Sequence, residues 1–235
     1  MKAIILAGGY GTRISEETDT KPKPMVLLDD KPIIWHLMNT FSTQGVHEFI
    51  IAAGYLGNIL SEYIANLTTE WDIKVIDTGL NTLTGGRIKQ CIANDDDPRF
   101  YVTYGDGLGS VDLEKLLEHH RAMGRISTVT CVRPPARFGV LEKSEGLVTH
   151  FGEKRQSDVG WINGGYFVLE REVAELIPGD EASFEMDVMP KLASGGDLAA
   201  FEHEGFWQPM DTLREKNLLA ELAILSPPPW LLPKR

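Results

Sequence analysis

The chain has 235 residues, 43% of them hydrophobic, enough to bury one large core. Its 34 acidic residues outnumber 23 basic ones, giving a formal charge of −11, and no run of basic residues offsets it, so a nucleic-acid partner is not expected. Cys91 and Cys131 stand apart, without CxxC or CxxH spacing, which argues against a zinc site or a disulfide framework and suits a reduced, cytoplasmic setting.

The first apolar run, Ala3–Ala7, is too short for a membrane span or a secretory leader and reads as a buried strand. A helix follows at about residues 33–44, a strand at 48–53 and a helix at 58–65, the alternation of parallel βα units. "WDIKVIDTG" is a further strand, and the glycines of "TGGRIKQCIAN" open another helix. "RFYVTYGDG" runs from a strand into a tight acidic turn. "DLEKLLEHHRAMG" begins with Asp112 as an N-cap and stops at Gly124. From residue 127 the texture changes to shorter strands and hairpins: "STVTCVR", "FGVLEKSEGLVTHF", "GWINGGYFVLE" and "LAAFEHEGFWQPM". A helix is expected at about 184–194 and another at 212–225, before "SPPPWLLPKR" ends in an extended proline segment. The whole reads as an α/β chain with a mixed, mostly parallel sheet and a single domain over 1–235.

In an open parallel sheet, ligands bind beyond the carboxyl ends of strands, and the turn leaving the first strand is the favoured phosphate site. "AGGYGTR" is that turn. Its glycines permit positive φ and close backbone approach, and Arg13 adds a fork of donors for phosphate oxygens. It is not a Walker A loop, since Thr12 and Arg13 follow Gly11 where Lys-Ser/Thr is needed. Nor is it a dinucleotide fingerprint, since Ile14 stands at the last glycine position. In "KPKPM" the prolines hold Lys21 and Lys23 on an extended segment able to carry a lysine back over the loop. Asp106 in "YGDG" stands at a strand terminus, where a carboxylate suits a hard cation such as Mg²⁺, although an Asp-Gly turn is the commoner use of this pair. Asp211 in "FWQPMDT" also follows an apolar stretch, and either it or Thr212 can cap the last helix. "NGG" alone reads as a plain hairpin turn, Glu153 and Lys154 as an exposed charge pair, and Phe206 and Trp207 as core. His119 and His120 lack the i, i+4 spacing of a metal pair.

Taken in order, these pieces resemble the sugar-nucleotide pyrophosphorylases, the nucleoside diphospho-sugar transferases. "MKAIILAGGYGTRISEET", "KPKPM", "DTG", "TGGRIK", "TYGDG", "RFGVL", "INGGYFVL" and "GFWQPMDTLR" look like blocks of the glucose-1-phosphate cytidylyltransferase subfamily, over nearly the whole chain. The resemblance implies a three-layer Rossmann-like nucleotidyltransferase fold. Residues 1–125 would form mainly a nucleotide-binding half, 126–211 a sugar-phosphate half, and 212–235 a terminal helix and tail. It implies a Mg²⁺-assisted transferase that joins CTP and a sugar 1-phosphate into a CDP-sugar, releasing pyrophosphate. Arg13 and Lys23 would be catalytic. Leu6, Ala7, Gly8, Gly9, Gly11, Thr12 and Gly105 would hold the nucleotide, with Gly85, Gly86 and Arg87 beside its base. Gly139, Glu153, Lys154, Asn163 and Gly164 would line the sugar-phosphate half, and Asp106 and Asp211 would hold the metal.

Two features depart from the subfamily. The stretch between Tyr63 and Val75 is shorter, which bears on assembly into a homo-oligomer, and Arg155 replaces the usual proline after Glu-Lys, where an extra cation favours a more anionic acceptor. The nearest alternative is a cytidylyltransferase for another phosphorylated or phosphonylated acceptor. An alternative of a different class is a catalytically silent nucleotide- or sugar-binding regulator, against which the full set of Arg13, Lys23, Asp106 and Asp211 argues.

Overall fold

The computed structural model describes residues 1–134, 139–153 and 160–233. In chain order the strands are β1 (Ala3–Ala7), β2 (Leu27–Leu28), β3 (Lys31–Pro32), β4 (Glu48–Ala53), β5 (Asp72–Asp77), β6 (Arg99–Tyr104), β7 (Gly107–Gly109), β8 (Ser127–Val132), β9 (Gly139–Ser144), β10 (Leu147–Glu153), β11 (Ile162–Glu170), β12 (Leu198–His203) and β13 (Trp207–Pro209). The helices are α1 (Ser15–Thr18), α2 (Ile33–Ser42), α3 (Gly57–Ala65), α4 (Thr84–Ala93), α5 (Leu113–Met123), α6 (Met189–Gly195) and α7 (Leu213–Ala223).

A seven-stranded sheet in the order β12-β8-β11-β6-β1-β4-β5 forms the frame. β1 is parallel to β4 and β6, β4 to β5, and β12 to β8, while β11 runs antiparallel to both β6 and β8. The sheet is therefore mixed and mostly parallel, and its central strands are continuous apolar runs because helices cover both faces. Alternation along β1 divides its side chains between two cores. Ala3, Ile5 and Ala7 pack with α2, α5 and α7 on one face, while Ile4 and Leu6 pack with Ile88 and Cys91 of α4, Phe184, Val188 and Leu192 on the other.

Three local departures from the sequence reading have physical causes. "NGG" is no hairpin turn: Asn163, Gly164 and Gly165 lie inside β11, where the register against β8 shifts between Asn163 and Phe167. The helix expected at about 184–194 is two pieces, a π-helical turn over Phe184–Val188 and then α6. The proline-rich tail folds back, because Trp230 is wholly buried, its ring edge-on to His36 at 5.6 Å and tilted against Phe206 at 6.0 Å. Burial of one large aromatic outweighs the extended preference of the flanking prolines.

Among the described residues no helix is long and apolar enough to cross a membrane.

Candidate active site

The carboxyl ends of β1 and β6 open onto a cleft of about 820 Å³. Leu6, Ala7, Gly8, Gly9, Gly11, Thr12 and Arg13 line it from the first turn, Lys23 and Pro24 from the next segment, Gly105 and Asp106 from the end of β6, and Asp211 from beyond β13. The parallel pairing of β1 with β6 sets Leu6 beside Tyr104, and Gly105 N–H donates to the Leu6 carbonyl at 2.9 Å, so the glycine turn and the acidic turn leave the sheet side by side. β13 pairs with β7, and Met210 N–H donates to the Asp106 carbonyl at 2.8 Å, which brings Asp211 to the same place.

Lys23 is the centre of this group. Its Nζ donates to Asp106 Oδ2 at 2.6 Å and to Asp211 Oδ1 at 2.8 Å, with only 10% of the side chain exposed. Burial alone would lower the lysine's pKa, but the two carboxylates outweigh it and hold the ammonium above its ordinary range. Asp211 shows the complementary balance: burial opposes its charge, yet Lys23 and Arg13 bring the carboxyl below its ordinary range. Arg13 donates from NH1 to Asp211 Oδ2 at 3.0 Å while 75% of its side chain is exposed, so most of its fork faces the cleft. Asp211 does not cap the last helix. Thr212 does, in a capping box in which Glu215 Oε2 accepts from the Asp211 and Thr212 N–H groups at 2.8 and 2.9 Å, leaving the Asp211 carboxylate for the cations.

Arg87 is buried under the first turn, with one edge in the cleft. It donates to the carbonyls of Ala53 and Gly8, at 3.0 and 3.1 Å, and to the Thr78 hydroxyl. A Cβ at Gly8 would come within 2.1 Å of Arg87 NH1, so a side chain there would push the guanidinium from these carbonyls. Gly85 and Gly86, expected beside a base, sit behind the cleft wall. Their missing side chains admit the 180–184 segment, since a Cβ would meet Ala182 O at 2.7 Å or Asp180 Cα at 2.5 Å. Their neighbours Leu83 and Thr84 line the cleft instead.

Apart from Glu185, a further stretch of the described lining is uncharged and rich in hydrogen-bonding groups. Asn163 faces it from the shifted part of β11, but Gly164 does not: its carbonyl accepts from Trp207 Nε1 at 2.7 Å, and Trp207 itself is among the lining residues. At Gly165, φ is +76° and a Cβ would meet the Tyr104 ring at 2.5 Å. Gly139 and Glu153 are register partners across β9 and β10. Lys154 and Arg155 lie outside the described residues. Tyr104, Thr84 and Glu185 also line this stretch, and the sequence reading did not select them. Tyr104 carried a usable signal, its position at the end of a central strand. Glu185 carried none, since its partners Thr84 and Tyr104 lie 101 and 81 residues away.

The glycine turn, two cations and two carboxylates meet at strand ends of a mixed α/β sheet, and the chain belongs to the nucleotidyl transferase family, whose model matches residues 2–214. It is 43% identical to a glucose-1-phosphate cytidylyltransferase of Salmonella typhi, over 98% of each chain. It is 40% identical to a probable glucose-1-phosphate cytidylyltransferase of Bacillus subtilis, covering 93% of this chain and 94% of that one. Among solved structures, HddC from Yersinia pseudotuberculosis is similar with a TM-score of 0.74 and 28% identity, over 94% of this chain and 98% of that one.

Proposed function

We propose that the protein transfers the cytidylyl group of CTP to glucose 1-phosphate, forming CDP-glucose and pyrophosphate. The observation that carries this reading is the convergence of Arg13, Lys23, Asp106 and Asp211 at one end of the cleft, in a chain 43% identical along nearly its whole length to a protein of that named activity. Residues 1–125 serve as the nucleotide half and 126–211 as the acceptor half.

The chemistry follows from charge. A phosphate oxygen of the acceptor attacks the α-phosphorus of CTP, the new P–O bond forms, and the bond from that phosphorus to the bridging oxygen of the β-phosphate breaks, with the electron pair leaving on pyrophosphate. A phosphate monoester is already an anionic nucleophile, so no side chain need remove a proton. The protein's task is to hold two repelling anions in line and to spread transition-state charge. The first turn presents backbone N–H groups to the triphosphate, Arg13 reaches its outer phosphates, and Lys23 serves the α-phosphate. Asp106 and Asp211 suit magnesium, because both are hard oxygen donors and already share one cation. Among the described residues no cluster of three or more metal-binding side chains is present, so nucleotide oxygens and water would complete the coordination. The metal would supply further positive charge against the phosphates.

The direct test crosses the four nucleoside triphosphates with a panel of sugar phosphates in Mg²⁺ and reads pyrophosphate release. The highest kcat/KM is expected for CTP with glucose 1-phosphate. Turnover with UTP or dTTP but not CTP would sink the cytidylyl assignment.

A further inference from the structure

Glu185 is a charged side chain in an otherwise uncharged stretch of the cleft lining. It stands in the π-helical turn Phe184–Val188, a local irregularity of the kind often found at functional positions, and this turn aims it back toward the end of β6. Among the described residues its donors are all hydroxyls. Oε1 accepts from Tyr104 at 2.6 Å, and Oε2 accepts from Thr84 Oγ1 at 2.5 Å and Ser183 Oγ at 2.9 Å. The same cleft is equipped for anions by Arg13 and Lys23. A carboxylate repels phosphate, so the part of a bound acceptor that faces Glu185 is an uncharged part. It is also a pure acceptor held only by hydroxyls, and hydroxyls of a ligand replace hydroxyls of the protein with little net loss of hydrogen bonding.

Tyr104 extends the effect. Its O–H is committed to Glu185, so its oxygen is free only to accept, and it does so from Asn163 Nδ2 at 3.0 Å. Asn163 Oδ1 accepts from Gly165 N–H at 2.8 Å, a donor that cannot reverse. The orientation of the amide is thus fixed from both sides, which leaves its second N–H as a donor on a residue that lines the cleft. This stretch of lining combines a donor at Asn163 and an acceptor at Glu185 with Trp207, whose Nε1 is already occupied by Gly164. A donor and an acceptor, beside the neighbouring Trp207, suit a ring bearing several hydroxyls.

We propose that Glu185 is a specificity-determining residue of this site, accepting hydroxyls of the acceptor's sugar ring directly and, through Tyr104, holding Asn163 ready to donate to the same ring. This rests on the cytidylyltransferase reading above. Replacing the carboxylate by an amide removes one acceptor position and offers Tyr104 a donor, so the Tyr104 hydroxyl is no longer held by a group that can only accept.

The test measures steady-state kinetics of the full chain with CTP and glucose 1-phosphate, and with glucose 1-phosphates lacking one ring hydroxyl at a time. Wild type is expected to disfavour at least one deoxy acceptor about 100-fold in kcat/KM, the order expected when a single hydrogen bond to a charged group is lost. Glu185→Gln is expected to raise KM for glucose 1-phosphate tenfold or more, to leave KM for CTP within twofold, and to reduce that discrimination to about threefold. Tyr104→Phe, which keeps the ring and its packing, should show the same split in KM to a smaller degree, and it decides the matter if Glu185→Gln does not fold. Unchanged discrimination in Glu185→Gln, or equal loss for both substrates in either variant, overturns the proposal. Wild-type inactivity with every sugar phosphate would instead overturn the function on which the proposal rests.

Discussion

Lys23 binds two carboxylates with one ammonium, and Arg13 holds the second of them from the cleft side. On the proposed reading, magnesium would compete with the Lys23 ammonium for Asp106 and Asp211. Lys23→Ala is expected to bind Mn²⁺ tenfold or more tightly in the absence of nucleotide, since one charge-assisted contact is worth about 1.5–3 kcal/mol, and electron paramagnetic resonance of free Mn²⁺ reads the difference. The same variant should lose about 100-fold or more in kcat, the usual effect of removing one preorganised charge, as measured by pyrophosphate release. The pH dependence has a definite sign. Asp211 titrates below its ordinary 3.8, so its contribution to stability is present above that value and is lost as pH falls through the lowered one. The difference in thermal stability between wild type and Asp211→Asn should accordingly shrink as the solution is acidified below 3.8. Arg13, Lys23 and Asp106 were legible because each sits beside a glycine, a proline or a strand end that marks its local geometry. Glu185 was not, because only tertiary packing brings it to Tyr104 and Thr84.

Among the elements, α7 shows how a cap protects a functional group. Thr212 accepts from Glu215 N–H at 3.3 Å, and Glu215 answers with both backbone bonds. Thr212→Ala should cost about 1 kcal/mol, a fall of about 2–4 °C in Tm for a chain of this size. Calorimetry checks it, and kcat is expected to change far less than Tm implies, because the Asp211 carboxylate is not part of the cap. Most elements were readable from their periods: β1, β4 and β6 as apolar runs, and α5 from Asp112 and Gly124, which cap it in the structure. Two of the departures lie along the cleft. The shifted register of β11 gives the Gly164 carbonyl to Trp207, and the π-helical turn redirects Glu185. Neither event leaves a signature in a local pattern of hydrophobic and polar residues.

For the whole molecule, the sheet has two differently built faces, and the tail closes one of them. Trp230 is fully buried with α2 and α7 in the larger core. Trp230→Ala is expected to cost about 3–5 kcal/mol in a denaturant titration, whereas a tail lying free on the surface would lose almost nothing. The mixed sheet followed from the change of texture at residue 127, but the strand order did not, since β11 inserts between β8 and β6 by pairings that no local pattern specifies. On the proposed reading, a phosphate oxygen of the acceptor becomes bonded to the α-phosphorus of CTP. This is tested most directly with glucose 1-phosphate carrying ¹⁸O in its non-bridging phosphate oxygens, following the products by ³¹P nuclear magnetic resonance. The expected result is CDP-glucose in which the phosphorus derived from CTP shows the isotope shift of one new ¹⁸O neighbour, with unlabelled pyrophosphate. A cytidylyl phosphorus without that shift, or label in pyrophosphate, would contradict it.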